Sequence, residues 1–251
     1  MGDKVCIIKQ PAGIGDIFFC QKIAQSVLVD TDCVKVIWPV SSIYSYLKDY
    51  LIAENVEFID ETLDFSYKHV YNSNNMYMEQ TDEYLFVPLQ TSDYIQKVCK
   101  CHNNNLAHGH MKYDFCNVDY LDWKDYLNFN RNEERENNLI QRIGLDITKP
   151  YNLINKNSGT YPNYGTRDDL IPSNDYQNIY MEFYDDVNLF DWIKVFENAK
   201  EIHTVETSVY YILEKLNLEN VYIYAKPTPQ NRANDFSYMK DHCSKKWKYI
   251  N

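Results

Sequence analysis

Three short segments of this sequence combine residue types that can hold or activate a charged substrate. The first is Pro11-Ala12-Gly13-Ile14-Gly15-Asp16, where Gly13 and Gly15 allow a tight turn or a close backbone approach to a ligand. Asp16 closes it and either caps the helix that follows or acts as a general base facing a cleft. As a dinucleotide fingerprint the segment is incomplete: a third glycine is missing, and the next apolar run ends in Ile37-Trp38-Pro39-Val40 where a ribose-binding acid is needed. That argues against an NAD enzyme and against a methyltransferase with a similar acid. The second is Glu206-Thr207-Ser208, at the start of a helix whose unpaired N–H groups and positive dipole end can hold a diphosphate. The competing reading is structural, since Thr207 or Ser208 is a good helix cap in any protein. The third is Asn155-Lys156-Asn157-Ser158-Gly159-Thr160, followed by Arg167. Here Lys156, Ser158, Gly159, Thr160 and Arg167 can cradle phosphate oxygens, or form an ordinary polar loop.

The elements around these segments alternate. Residues 4–9 form a short apolar run, as in a buried parallel strand. Residues 16–29 carry apolar positions at helical spacing, 34–38 read as a strand, 43–52 as a helix, and 56–59 and 84–87 as strands. This βαβαβ rhythm is that of a doubly wound parallel sheet, an α/β fold. A long polar loop spans about 90–120, and helices are expected over 123–129 and 133–143, the second ending at Gly144. After Pro150 the alternation restarts: strands over 151–155, 179–183, 201–205 and 221–225, helices over 189–198, behind an Asn188 cap, and 208–216. Residues 232–248 read as a helix that passes into a Lys-rich tail. Two α/β halves, 1–148 and 149–251, are expected.

Composition removes several classes. In 251 residues, 45% are hydrophobic and 24% charged, which excludes a fibrous or wholly disordered chain. A net charge of -11 disfavours general nucleic-acid binding. No apolar run approaches the ~18–20 residues of a spanning helix, and Val5-Cys6-Ile7-Ile8 is too short for a signal-peptide core. Met1-Gly2 is not followed by the Ser or Thr of a myristoylation start, because Cys6 stands there. A cytoplasmic protein is expected; the frequent Tyr and Asn, encoded by AT-rich codons, are compatible with a viral genome and hence a host cytoplasm. Seven scattered Cys fit reduced thiols better than a disulfide framework. Cys99, Cys101, His102, His108, His110 and Cys116 offer zinc-type ligands, although Cys-x-Cys is not the common structural spacing.

With these segments placed, the chain resembles the GT-B glycosyltransferases, and among them the family-nine heptosyltransferases. The resemblance runs through Ile7-Ile8-Lys9 to Gly15-Asp16, and again through 189–229, with an acid-Thr-Ser turn at 206–208 and Pro227-Thr228-Pro229. It implies two Rossmann-like domains facing across a cleft, the acceptor on the first and a nucleotide-sugar donor on the second. It also implies Asp16 as catalytic base and Ser158, Gly159, Thr160, Glu206, Thr207 and Ser208 as donor-binding elements, with no metal or other cofactor required. Departures exist: Tyr210 and Tyr211 stand where the family helix has a His, Ser208 where it has a Gly, and Arg167 is the nearest cation to a missing Lys-x-Trp. The expected activity is transfer of a sugar to a hydroxyl of a glycan, lipid or protein. The competing reading is a catalytically silent nucleotide- or carbohydrate-binding shell.

Overall fold

The computed structural model describes residues 3–90, 108–160, 163–172, 174–225 and 243–250, without the side chains of 108, 159, 160, 163 and 164. The chain divides into two compact units, Met1–Asn130 and Arg131–Asn251.

The first unit contains β1 (Lys4–Ile8), α1 (Ile14–Phe19), α2 (Gln21–Asp30), β2 (Cys33–Val40), α3 (Leu47–Tyr50), β3 (Val56–Asp60), α4 (Lys68–Tyr71), β4 (Glu79–Gln80), β5 (Tyr84–Val87) and α5 (His108–Phe115). Its sheet runs β3-β2-β1-β5-β4, parallel except for the edge strand β4. Strand β1 lies at the centre, with Cys6, Ile7 and Ile8 fully buried, so its residues are apolar on both faces. Trp38, Phe18, Phe19 and Phe86 fill the layers beside it.

The second unit contains α6 (Glu133–Arg142), β6 (Tyr151–Asn155), β7 (Asn157–Thr160), β8 (Asn163–Thr166), β9 (Gln177–Tyr180), α7 (Ile193–Asn198), β10 (Glu201–Val205), α8 (Val209–Lys215), β11 (Val221–Tyr224) and β12 (Lys248–Ile250). Its sheet, β12-β11-β10-β6-β9, is wholly parallel, and β7 and β8 form a separate antiparallel hairpin. Helix α6 ends in a Schellman arrangement: Gly144 takes φ 62°, its N–H bonds the Gln141 carbonyl, and the Leu145 N–H bonds that of Ile140. The helix packs on 189–198, where Arg135 makes a bidentate pair with Asp191 at 2.8 and 2.7 Å, and Arg131 joins Glu136 to Glu197. Because its partners lie there, α6 belongs to the second unit, and the division falls at Asn130 instead of 148.

Several elements differ from the pattern in the sequence. The first helix opens two residues earlier than 16–29 implies and is interrupted at Cys20, giving α1 and α2. The helix expected over 43–52 shrinks to a 3-10 turn and α3, and that expected over 123–129 to a 3-10 turn at Trp123–Asp125. Both are overridden by pairing with each other: Leu51 bridges Phe129, the Ile52 N–H bonds the Asn128 carbonyl, and the Asn130 N–H bonds that of Tyr50. The polar stretch at 90–120 holds α5, whose inward residues His110, Lys112 and Tyr113 carry no apolar period. The strand expected over 179–183 is β9, two residues earlier, because the Met181 N–H already bonds the Ile154 carbonyl at the sheet edge. The helix expected over 189–198 begins as a 3-10 turn behind an Asn188–Asp191 capping box. The segment 155–160 is not a loop, since β7 occupies most of it. The expected tail is in part β12; residues 226–242 lie outside those described.

Candidate functional site

In an open parallel sheet, ligands bind beyond the carboxyl ends of the strands. In the first unit, that edge of β1 leads through Lys9 and Gln10 into the Gly13 turn. Gly13 is the N-cap residue of α1 at φ 79°, a left-handed backbone that glycine adopts without strain. A Cβ at this position would stand 2.5 Å from Asp16 Oδ2, so the missing side chain also makes room for the carboxylate. Asp16 is therefore not the cap that the sequence suggested. It lies in the first turn of α1 with Gly15, its side chain 36% exposed.

Its partner is Lys112, from α5. The Lys112 ammonium, 1% exposed, donates to Asp16 Oδ1 and to Gln10 Oε1, both at 2.7 Å. Gln10 is held in turn: its side-chain N–H donates to the Ala12 carbonyl, and its own carbonyl accepts the Trp38 indole N–H at 3.1 Å. The turn and the carboxylate are thus tied to one buried cation. Below them the Cys20 thiol is pushed up to about 12 by burial, which outweighs the pull of Lys112. Sequence reasoning missed Lys112 and Gln10, and nothing in sequence spacing links position 112 to position 16.

In the second unit the carboxyl ends of β6, β10 and β11 adjoin one another, with β10 between the other two. Asn155, at the end of β6, donates to Thr204 Oγ1 at 3.0 Å and to Thr207 Oγ1 at 3.2 Å. Arg167 spans the same edge. Its backbone N–H bonds the Lys156 carbonyl, and its guanidinium donates to the Ala225 carbonyl at 2.9 Å, so it touches the residues just beyond β6 and β11. The same guanidinium pairs with the exposed Asp169 and faces the Tyr224 ring at 5.8 Å. The Lys156 ammonium stands 4.6 Å from the Tyr180 ring centroid.

The predicted donor residues are distributed unequally. Lys156, Arg167, Glu206, Thr207 and Ser208 all lie at this edge. Ser208 is the N-cap residue of α8 without a side-chain cap bond, and the Glu206 N–H is used on the Tyr224 carbonyl. Ser158, Gly159 and Thr160 lie instead along β7, where the Ser158 hydroxyl donates to the Gly165 carbonyl at 3.3 Å. Asn155, the residue that joins β6 to Thr207, was not singled out, although its place at a strand end was visible.

Along the sheet from this edge runs a second polar line. The buried His203 ring contacts Glu201 at 3.1 Å and Tyr224 Oη at 3.0 Å and stacks on Tyr222. Burial lowers the His203 pKa, against an opposing pull from Glu201.

Of the zinc-type cluster, Cys99, Cys101 and His102 lie outside the described residues, as does the His108 side chain. His110 is buried and stacked on Tyr120 at 4.1 Å, and burial raises the Cys116 thiol pKa. Among the described residues no three His, Cys, Asp or Glu side chains are grouped as metal ligands would be. No helix among them is long and apolar enough to cross a membrane.

No protein-family model matches the sequence, and no curated protein matches it. Solved structures do. A family-nine glycosyl transferase from Veillonella parvula DSM 2008 superposes with a TM-score of 0.53 and 10% identity, over 98% of this chain and 86% of that one. The chain has the fold of the family-nine glycosyltransferases. TibC, the iron-containing dodecameric glycosyltransferase of enterotoxigenic E. coli H10407, superposes with a TM-score of 0.50 and 10% identity, over 90% of this chain and 59% of its own. E. coli heptosyltransferase WaaC with ADP aligns with a TM-score of 0.49 and 10% identity, over 98% and 92%. At such identity the family-nine likeness is one of architecture, and the chemistry rests on this chain's own residues.

Proposed function

We propose that this protein is a nucleotide-sugar-dependent glycosyltransferase of the inverting type, working without a metal ion. The second unit binds the donor and the first binds the hydroxyl acceptor. The observation that carries the reading is Arg167, a cation stationed across the carboxyl ends of β6, β10 and β11, the edge where an α/β sheet takes a phosphorylated ligand. Lys156, Thr207 and Ser208 add charge and hydroxyls there.

In the reaction the acceptor oxygen attacks the anomeric carbon while Asp16 Oδ2 takes the hydroxyl proton. The new glycosidic bond forms as the bond from that carbon to the diphosphate oxygen breaks, and the diphosphate leaves with the electron pair. Arg167 and Lys156 meet the charge that develops on it, as donors fixed in advance do in a site closed to water.

The test is a thermal-shift screen with UDP-, GDP-, ADP-, CMP- and dTDP-sugars, followed by assay of nucleotide release with the donor that binds. A donor that binds only the folded state raises the melting temperature by mass action. Arg167→Met abolishes that shift. Asp16→Asn keeps it but loses turnover. An Asp16→Asn protein with full turnover refutes the role of Asp16, and a screen without any shift refutes the reading as a whole.

A further inference from the structure

Burying an ammonium costs several kcal/mol unless it is paired and hydrogen-bonded. Lys112 is buried almost completely beside a carboxylate that is one-third exposed. Among the described residues Asp16 is the one acidic side chain that pairs with it. The ammonium also grips Gln10, and through Gln10 the turn at Ala12. One cation from α5 therefore joins the end of β1, the glycine turn and the first turn of α1. Oδ1 of Asp16 is occupied by this bond, while Oδ2 lies against Gly13 and carries no hydrogen bond from the described residues.

We propose that Lys112 is the positioning residue of Asp16: it fixes Oδ1, so that Oδ2 is the atom presented to the acceptor hydroxyl. The proposal rests on the reading of Asp16 as the base. At 1% exposure Lys112 does not itself reach a substrate. Its effect passes through the carboxylate, where a misplacement of about 1 Å can cost about a hundredfold in rate. It also accounts for Gly13, because a side chain there would push Oδ2 off the line that Lys112 sets.

The test compares wild type, Lys112→Met and Lys112→Gln. Hydrogen exchange is measured across residues 10–20, and nucleotide release is assayed with whichever sugar nucleotide of the UDP, GDP, ADP, CMP and dTDP series the wild type turns over. Expected for Lys112→Met are faster exchange in 10–20 but not in 200–215, a kcat roughly 10–100-fold lower, and a donor KM within about twofold of wild type. Lys112→Gln keeps an N–H donor and loses less kcat. Unchanged exchange overturns the proposal whether or not a donor is found. So does a folded Lys112→Met with wild-type kcat, or one in which donor affinity falls as far as kcat. If Lys112→Met does not fold, Lys112→Gln decides by the same split. An inactive Asp16→Asn beside a fully active Lys112→Met removes the positioning role alone; an active Asp16→Asn removes the base reading on which it rests.

Discussion

Replacing Gly13 by alanine challenges two features of the site together. A non-glycine residue held in the left-handed region at φ 79° costs about 1–2 kcal/mol. The added Cβ would meet Asp16 Oδ2 at 2.5 Å, and ordinary contact begins at 3.4 Å, so the carboxylate must retreat by 3.4 − 2.5 = 0.9 Å. That retreat strains the 2.7 Å bond from Lys112, and a hydrogen bond to a charged group is worth about 1.5–3 kcal/mol. Partial loss of it brings the expected destabilisation by Gly13→Ala to about 2–4 kcal/mol. The assay is urea unfolding followed by tryptophan fluorescence, since the buried Trp38 bonds the Gln10 carbonyl next to the turn, with the m value unchanged. In an Asp16→Ala background the clash is gone, and Gly13→Ala should cost only the ~1–2 kcal/mol of the backbone term. Equal costs in the two backgrounds would show that Gly13 and Asp16 do not press on each other, and the account of the turn would fail.

Asp16→Asn should destabilise the protein by about 2–3 kcal/mol, below the range for a fully buried pair because Asp16 is partly exposed, and Lys112→Met added to it should restore most of the loss; denaturant titration of the double-mutant cycle checks this. Arg131→Met leaves Glu136, whose side chain is 1% exposed, without its ion pair and should cost about 2–4 kcal/mol, whereas Arg142→Met breaks the exposed pair with Asp186 and should cost less than about 1 kcal/mol; similar losses for the two would refute the distinction. His203 titrates below its ordinary 6.5 in the folded protein, so just below pH 6.5 the unfolded chain binds more protons. Stability from this group is therefore complete above pH 6.5 and lost as pH falls toward the lowered pKa. Melting temperatures against pH for wild type and His203→Gln should diverge in that window and run parallel above it.

The strands β1, β5 and β11 were visible in the sequence as short continuous apolar or aromatic runs, and β2, β3, β6 and β10 as short runs of β-branched, aromatic and leucine residues broken by one or more polar ones, signals that need no knowledge of their neighbours. Asp16, Arg167, Thr207 and Ser208 were visible for a related reason: each lies within a few residues of a strand's carboxyl end or a helix start, where local order alone marks the edge. What the sequence could not carry is the partner of each. Lys112 reaches Asp16 across 96 positions from a helix with no apolar stripe, because its buried face is made of a lysine, a histidine and a tyrosine. The helices expected over 43–52 and 123–129 shrank to short turns because of backbone pairing between Leu51 and Phe129, an energy that appears only when the two stretches meet. Helix α6 joined the second unit through Arg131 and Arg135, whose acids lie on other elements or across a turn. Periodicity and strand ends are properties of neighbouring residues and can be read along the chain, whereas the pairing of a buried charge is a property of space and exists only once the chain has folded.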